Sequence, residues 1–157
     1  YNIPSRTGVN LTEAQYAALA DIPNIRAVKE ASGSMAKLTR LCADGRLAVY
    51  SGSDDQILPV AALGGRGVIS VLSNLAPAAV SAMAHAAVDG DFDTARHLAY
   101  KYARLISLLF AETNPAPLKY AMELLGLSRG ELRLPLAEVG DGLKTALREE
   151  LTALGML

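Results

Sequence analysis

The stretch Ala27-Val28-Lys29-Glu30-Ala31-Ser32-Gly33-Ser34, AVKEASGS, places a lysine where an apolar chain is expected to bury itself. It continues from Asn24-Ile25-Arg26, and read as a strand its side chains alternate between two faces. Ile25, Ala27 and Lys29 share one parity, Arg26, Val28 and Glu30 the other. That parity turns Lys29 toward whatever core Ile25 and Ala27 build, just before a turn-rich Ser-Gly-Ser. Two more short, β-branched runs end in the same way. Arg46-Leu47-Ala48-Val49-Tyr50 stops at Ser51-Gly52-Ser53, and Gly67-Val68-Ile69-Ser70-Val71-Leu72 stops at Ser73-Asn74.

Helical periodicity fills the gaps between these runs. Residues 11–22 carry Leu11, Tyr16, Leu19 and Ile22 near one side, with Thr12 as N-cap. Residues 34–45 put Met35, Leu38, Leu41 and Cys42 on one face and end at Gly45. A third segment starts at Ser53 or Asp54 and ends at Gly64-Gly65; a fourth, from Leu75, stops at Gly90. Strands that alternate with helices must return to the same end of the sheet, so the sheet is parallel with right-handed crossovers. A doubly wound sheet calls for a glycine-rich phosphate turn after a strand. No G-x-G-x-x-G occurs, and Gly64-Gly65-Arg66-Gly67 precedes a strand instead. The strand ends are polar: Tyr1-Asn2, Lys29-Glu30, Ser51-Gly52-Ser53-Asp54 and Ser73-Asn74. That is the pattern of a (β/α)8 TIM barrel, an α/β fold whose sites gather at the C-terminal ends of its strands. A whole barrel takes about 250 residues, so this chain of 157 residues accommodates its second half, about four βα units. The half-barrel is expected over residues 1–90. A C-terminal extension of three amphipathic helices follows over residues 91–157, a pattern suited to packing or oligomerisation.

Composition narrows the function classes. The net charge of −1 argues against a nucleic-acid or anionic-membrane surface. The apolar runs fall short of the 18 or so residues of a spanning helix. The single cysteine excludes an internal disulfide framework, and Cys42 reads as core filler. No secretory leader is visible, so a cytoplasmic location is expected. Tyr1-Asn2-Ile3-Pro4 has the look of an element already under way, consistent with a piece of a longer chain.

A lysine on a barrel interior has two readings. One is a buried ion pair or a charge snorkelling from the strand end. The other is a Schiff-base nucleophile, since burial favours the neutral amine that attacks carbonyls. Glu30, of opposite parity, reads as a structural carboxylate bonded between strand and helices. Tyr1 ends the preceding strand and is a candidate proton relay or an amphipathic core tyrosine. Arg6, in Ser5-Arg6-Thr7-Gly8, is a candidate carboxylate clamp or a surface arginine. Asp54-Asp55 reads as a helix start rather than a metal pair. His85 and His97 lack a third ligand at metal spacing, and no metal site is expected.

The ordered motifs YNIPSRTG (1–8), VKEASG (28–33), YSGSDD (50–55), GGRGVISVLSN (64–74) and NPAPLKYAM (114–122) resemble the dihydrodipicolinate synthase family of pyruvate-dependent class I aldolases. The resemblance runs over essentially the whole chain. It implies that Lys29 forms a Schiff base with pyruvate, that Tyr1 shuttles protons, and that Arg6 holds the carboxylate of L-aspartate 4-semialdehyde. By the same resemblance the backbone of Ile69 contacts pyruvate, and Gly52 lines the pocket. Ser53 stands where the family often has an acidic residue. Asn114 and Lys119 fall in a turn entering a helix, read as scaffold near the site. The implied reaction makes 4-hydroxy-tetrahydrodipicolinate in lysine and diaminopimelate biosynthesis. It needs no cofactor beyond the covalent imine on Lys29, and the implied assembly is a homotetramer. Relatives acting on N-acetylneuraminate or 2-keto-3-deoxy sugar acids share the lysine and tyrosine but typically lack the arginine. A non-catalytic paralogue is the remaining alternative. The family's other relay residues, a threonine and a tyrosine, and any site for inhibitory lysine would lie in a first half.

Overall fold

The computed structural model describes all 157 residues. Two compact units divide them: residues 1–70 with 82–96, and residues 71–81 with 97–157.

In the first unit, β1 (Ala27–Glu30), β2 (Ala48–Ser51) and β3 (Gly67–Val68) form a parallel sheet in the order β1-β2-β3. Asn2 adds one further parallel rung beside Glu30. Between the strands run α1 (Pro4–Thr7), α2 (Glu13–Ala20), α3 (Met35–Asp44), a 3-10 turn at Asp54–Gln56 and α4 (Ile57–Ala62). The local signals account for most of these boundaries. Thr12 caps α2 in a reciprocal capping box with Gln15. Ser34 caps α3, which stops at Gly45 with φ +70°. The Gly64–Gly67 connection is dictated by sterics. A Cβ on Gly65 would lie 2.4 Å from Val60 Cγ1 and 2.7 Å from the Val60 carbonyl, so only glycine lets the chain turn there.

One face of this sheet is packed. Val28, Val49, Tyr16, Leu38, Leu41, Leu47 and Val60 form a buried cluster, with Leu11, Ile25, Met35, Cys42 and Leu63 against it. The expected alternation holds within β1, and only Ile25 departs from it by packing against the helix-side cluster. Val28 and Glu30 face the helices and are buried, whereas Ala27 is exposed and Lys29 half-buried on the other face. The strand begins only at Ala27, so Ile25 packs from an irregular segment and does not report the strand's alternation. β3 is also shorter than its apolar run, and Ile69 lies just past it.

In the second unit a 3-10 turn at Leu72–Asn74 packs on α7 (Ala116–Leu124), which packs on α8 (Asp141–Ala153). Most of α6 (Phe92–Leu109) belongs here, with Leu105 and Leu109 fully buried. Pro115 and Pro117 start α7, as the turn motif implied. Lys119 Nζ donates to the carbonyl of Glu131, a structural contact. The buried carboxylate of Glu150 pairs with Arg104 at 3.4 Å. The helix α5 (Pro77–Val88) stops before Gly90, which has φ +86°. No helix is long and apolar enough to cross a membrane.

A buried polar knot fastens strand to helix in the first unit. Glu30 is fully buried. Its carboxylate accepts from Tyr16 Oη at 2.5 Å, from the Ser32 amide at 2.7 Å and from Asn2 Nδ2 at 3.0 Å to each oxygen. Burial alone would raise the carboxyl's pKa; these donors outweigh it and hold the group below its usual range. Burial, and then the neighbouring carboxylate, push the Tyr16 phenol well above its usual value.

Both shifts link to stability. A depressed carboxyl stabilises the fold above its unfolded pKa of about 4.3, and that contribution is lost as pH falls through the folded value. A raised phenol stabilises below about pH 10, and its contribution is lost as pH rises further. Thermal melts of the full-length protein from about pH 2 to 11 should therefore fall off at both ends. Tyr16→Phe should flatten the alkaline fall relative to wild type; an unchanged alkaline limb would remove Tyr16 as its source.

Candidate active site

The C-terminal ends of the parallel strands lie side by side, and backbone hydrogen bonds lace them together. Asn2 N–H donates to Lys29 O at 3.0 Å, and Ala31 N–H to Asn2 O at 2.9 Å. Gly52 N–H donates to Glu30 O at 2.8 Å, and Ile69 N–H to Ser51 O at 2.9 Å. Tyr1, Lys29, Gly52 and Ile69, far apart in sequence, thus stand on or next to consecutive rungs at one end of the sheet.

Tyr1 and Lys29 meet directly. Lys29 Nζ stands over the Tyr1 ring, 4.0 Å from its centroid. Adjacent parallel strands direct paired side chains to the same face. Since Asn2 pairs with Glu30, Tyr1 and Lys29 share the opposite one. A ring face attracts an ammonium group, which orients the lysine side chain toward the phenol. Both residues are accessible, Tyr1 at 65%, because three strands and one rung make an open arc.

Gly52 sits hard against β1. A Cβ there would come within 2.5 Å of Ala31 Cβ and 3.1 Å of Glu30 O, so the position requires glycine for packing as well as for space. Ser51 is buried, and its hydroxyl donates to Ser53 O at 2.7 Å and accepts from the Ser53 amide at 3.1 Å, which shapes the turn after β2. Ile69 is half exposed. Arg6 is exposed on the last turn of α1, a short helix inside the loop that the motif alone did not reveal. Gly8, at φ +69°, ends that helix by donating to Pro4 O at 2.9 Å.

Asp54 and Asp55 open the 3-10 turn, as a helix start would have them, and His85 and His97 are exposed. A cavity of about 350 Å³ in the second unit, lined by Tyr120, Glu123, Leu132, Glu138 and Lys144 among others, contains none of the residues singled out above. Sequence reasoning missed Asn2 and Tyr16. The available signal was parity: Asn2 pairs with Glu30, and Tyr16 is the polar-tipped residue on the apolar side of the intervening helix.

The chain matches the Dihydrodipicolinate synthetase family over residues 1–154. It is 46% identical to the 4-hydroxy-tetrahydrodipicolinate synthases of Clostridium perfringens and of Methanosarcina mazei, in each case over 100% of this chain and 55% of the relative. A crystal structure of a dihydrodipicolinate synthase superposes with a TM-score of 0.97 at 44% identity, covering 100% of this chain and 55% of that one. The Thermotoga maritima dihydrodipicolinate synthase does so with a TM-score of 0.95 at 36% identity, again over 100% and 55%. The chain thus spans about half the length of the relatives it matches, and its fold is the second half of their (β/α)8 barrel with the C-terminal helices. The chain belongs to the dihydrodipicolinate synthetase family.

Proposed function

We propose that the full protein is a lyase that condenses pyruvate with L-aspartate 4-semialdehyde to give 4-hydroxy-tetrahydrodipicolinate. The observation that carries this reading is the Lys29 amine held over the Tyr1 ring at the C-terminal end of the parallel sheet. Family membership and the names of the relatives support it.

In this reading the neutral Lys29 amine adds to the pyruvate carbonyl, and loss of water leaves an imine. The imine draws electrons from the methyl carbon, which loses a proton to give an enamine. That carbon bonds to the aldehyde carbon of the semialdehyde, whose oxygen takes up a proton. The substrate's own amine then attacks the imine carbon and displaces Lys29, closing the ring. Tyr1 carries protons at the first and last steps, and Arg6 pairs with the semialdehyde carboxylate. Gly52 and the Ile69 backbone line the pyruvate end. The imine serves as the electron sink, so the reaction calls on no further cofactor. We further propose that the protein works as a cytoplasmic homotetramer, with residues 91–157 as its helical extension.

Treatment of the full-length protein with pyruvate and borohydride should give a covalent adduct that maps to Lys29. Lys29→Ala should abolish it, and Lys29→Arg should be equally inactive because a guanidinium does not deprotonate to attack. An adduct on Lys37 or Lys119 would overturn the assignment. Tyr1→Phe should lower turnover by about a hundredfold with KM little changed. Arg6→Ala should raise the KM for the semialdehyde and spare imine formation; unchanged semialdehyde kinetics would favour a sugar-acid aldolase. Residues 1–157 alone expose sheet edges at Asn2 and at β3, and such edges pair with other chains. Chromatography and circular dichroism should find this segment associated or partly folded, without turnover. A cooperatively melting, active monomer would contradict that.

A further inference from the structure

Glu30 does more than fill a buried polar position. The Tyr1–Asn2 segment meets β1 through a single rung, and one rung leaves a strand end free to fray. Side chains reinforce that rung. Glu30 binds Asn2 Nδ2 through both oxygens at 3.0 Å, and the Ser32 amide and Tyr16 hydroxyl hold the carboxylate from the other sides. All of these donors are neutral, and a carboxylate is the one side chain that offers only acceptors to all three.

Asn2 passes the constraint on. Its Nδ2 also donates to Asn10 Oδ1 at 3.1 Å, and its Oδ1 accepts from the Leu11 amide at 3.2 Å. Asn2 and Asn10–Leu11 are the two feet of the loop that contains α1 and Arg6. Lys37 Nζ braces the far foot, donating to Asn10 Oδ1 and to Leu11 O at 2.6 Å. The same amide therefore clamps the Tyr1 strand on one side and closes the Arg6 loop on the other.

We propose that Glu30, acting through Asn2, is a positioning residue that sets Tyr1 against Lys29 on the opposite face of the sheet and closes the loop presenting Arg6. This rests on Lys29 being the imine-forming amine. Whichever way the amide is turned, Glu30→Gln puts an NH2 group against Asn2 Nδ2, so it must break the two-oxygen grip on Asn2 while keeping the volume, whereas the Tyr16 hydroxyl can turn to accept.

The test uses full-length protein, rapid quenching with borohydride after mixing with pyruvate, and steady-state kinetics at a temperature where circular dichroism shows each variant folded. Wild type should be labelled at Lys29. Glu30→Gln should form the adduct at least tenfold more slowly, with the saturating concentration of pyruvate little altered. Asn10→Ala, a substitution at an exposed site, should instead raise the KM for L-aspartate 4-semialdehyde at least fivefold, with a smaller effect on trapping. If Glu30→Gln does not fold, Tyr16→Phe, which keeps the carboxylate and removes one donor, should slow trapping about threefold. Trapping at the wild-type rate in the folded Glu30 variant (or, failing that, in Tyr16→Phe) would make the knot merely structural and overturn the proposal. An unchanged KM in Asn10→Ala would overturn its loop half. A wild-type protein that labels elsewhere or not at all would fail at the earlier step, the assignment of Lys29.

Discussion

A fully buried carboxylate with no cation at its side is the constraint on which the first unit is arranged. Glu30 keeps its charge in the interior only because an amide side chain, a phenol and a backbone N–H converge on it. Hydrogen bonds to a charged group are each worth roughly 1.5–3 kcal/mol, so each donor is held firmly where the carboxylate needs it. One donor belongs to the strand before β1, one to α2 and one to the turn after β1. The carboxylate thus sets the relation of three separate stretches of chain, and the face opposite it inherits that order. Apolar packing around Val28, Val49 and Leu38 holds the sheet to its helices, but such contacts are non-directional. Direction comes from the polar knot.

Much of this was legible in the residues. The alternation of β-branched runs with capped helices specified a parallel sheet, and Thr12, Ser34 and Gly45 marked helix ends that the structure reproduces. Lys29 and Tyr1 were legible as neighbours, because consecutive barrel strands put their C-terminal ends together. Their surroundings were harder to read. Ala27 and Lys29 share one face of β1 and Val28 and Glu30 the other, as the alternation implies, but Ile25 packs on the helix side because the strand begins only at Ala27. The Tyr16–Glu30 bond joins residues fourteen apart through tertiary packing; no local pattern encodes it. The four-residue helix around Arg6 depends on a chain reversal at Gly8, which a motif spelled as a loop does not reveal.

The matched relatives are about twice as long as this chain, and the division falls within the barrel. The residues proposed to meet pyruvate, Lys29, Tyr1, Gly52 and Ile69, all lie in one compact unit with its own buried cluster. The helices of the second unit rest on a separate set of contacts, with α7 against α8 and Glu150 paired to Arg104.

The loop around Arg6 starts and finishes at the same amide. Because both of its feet are tied at Asn2, the base of the loop is fixed whatever residues stand between them. Its interior can drift in sequence, lengthen or exchange its charged residue while the chemistry-bearing pair beneath stays put. In evolutionary terms this makes residues 3–9 an interchangeable cassette. On the proposed function, new aldehydes would be recruited by rewriting this rim alone, with the Lys29 amine and the Tyr1 phenol kept.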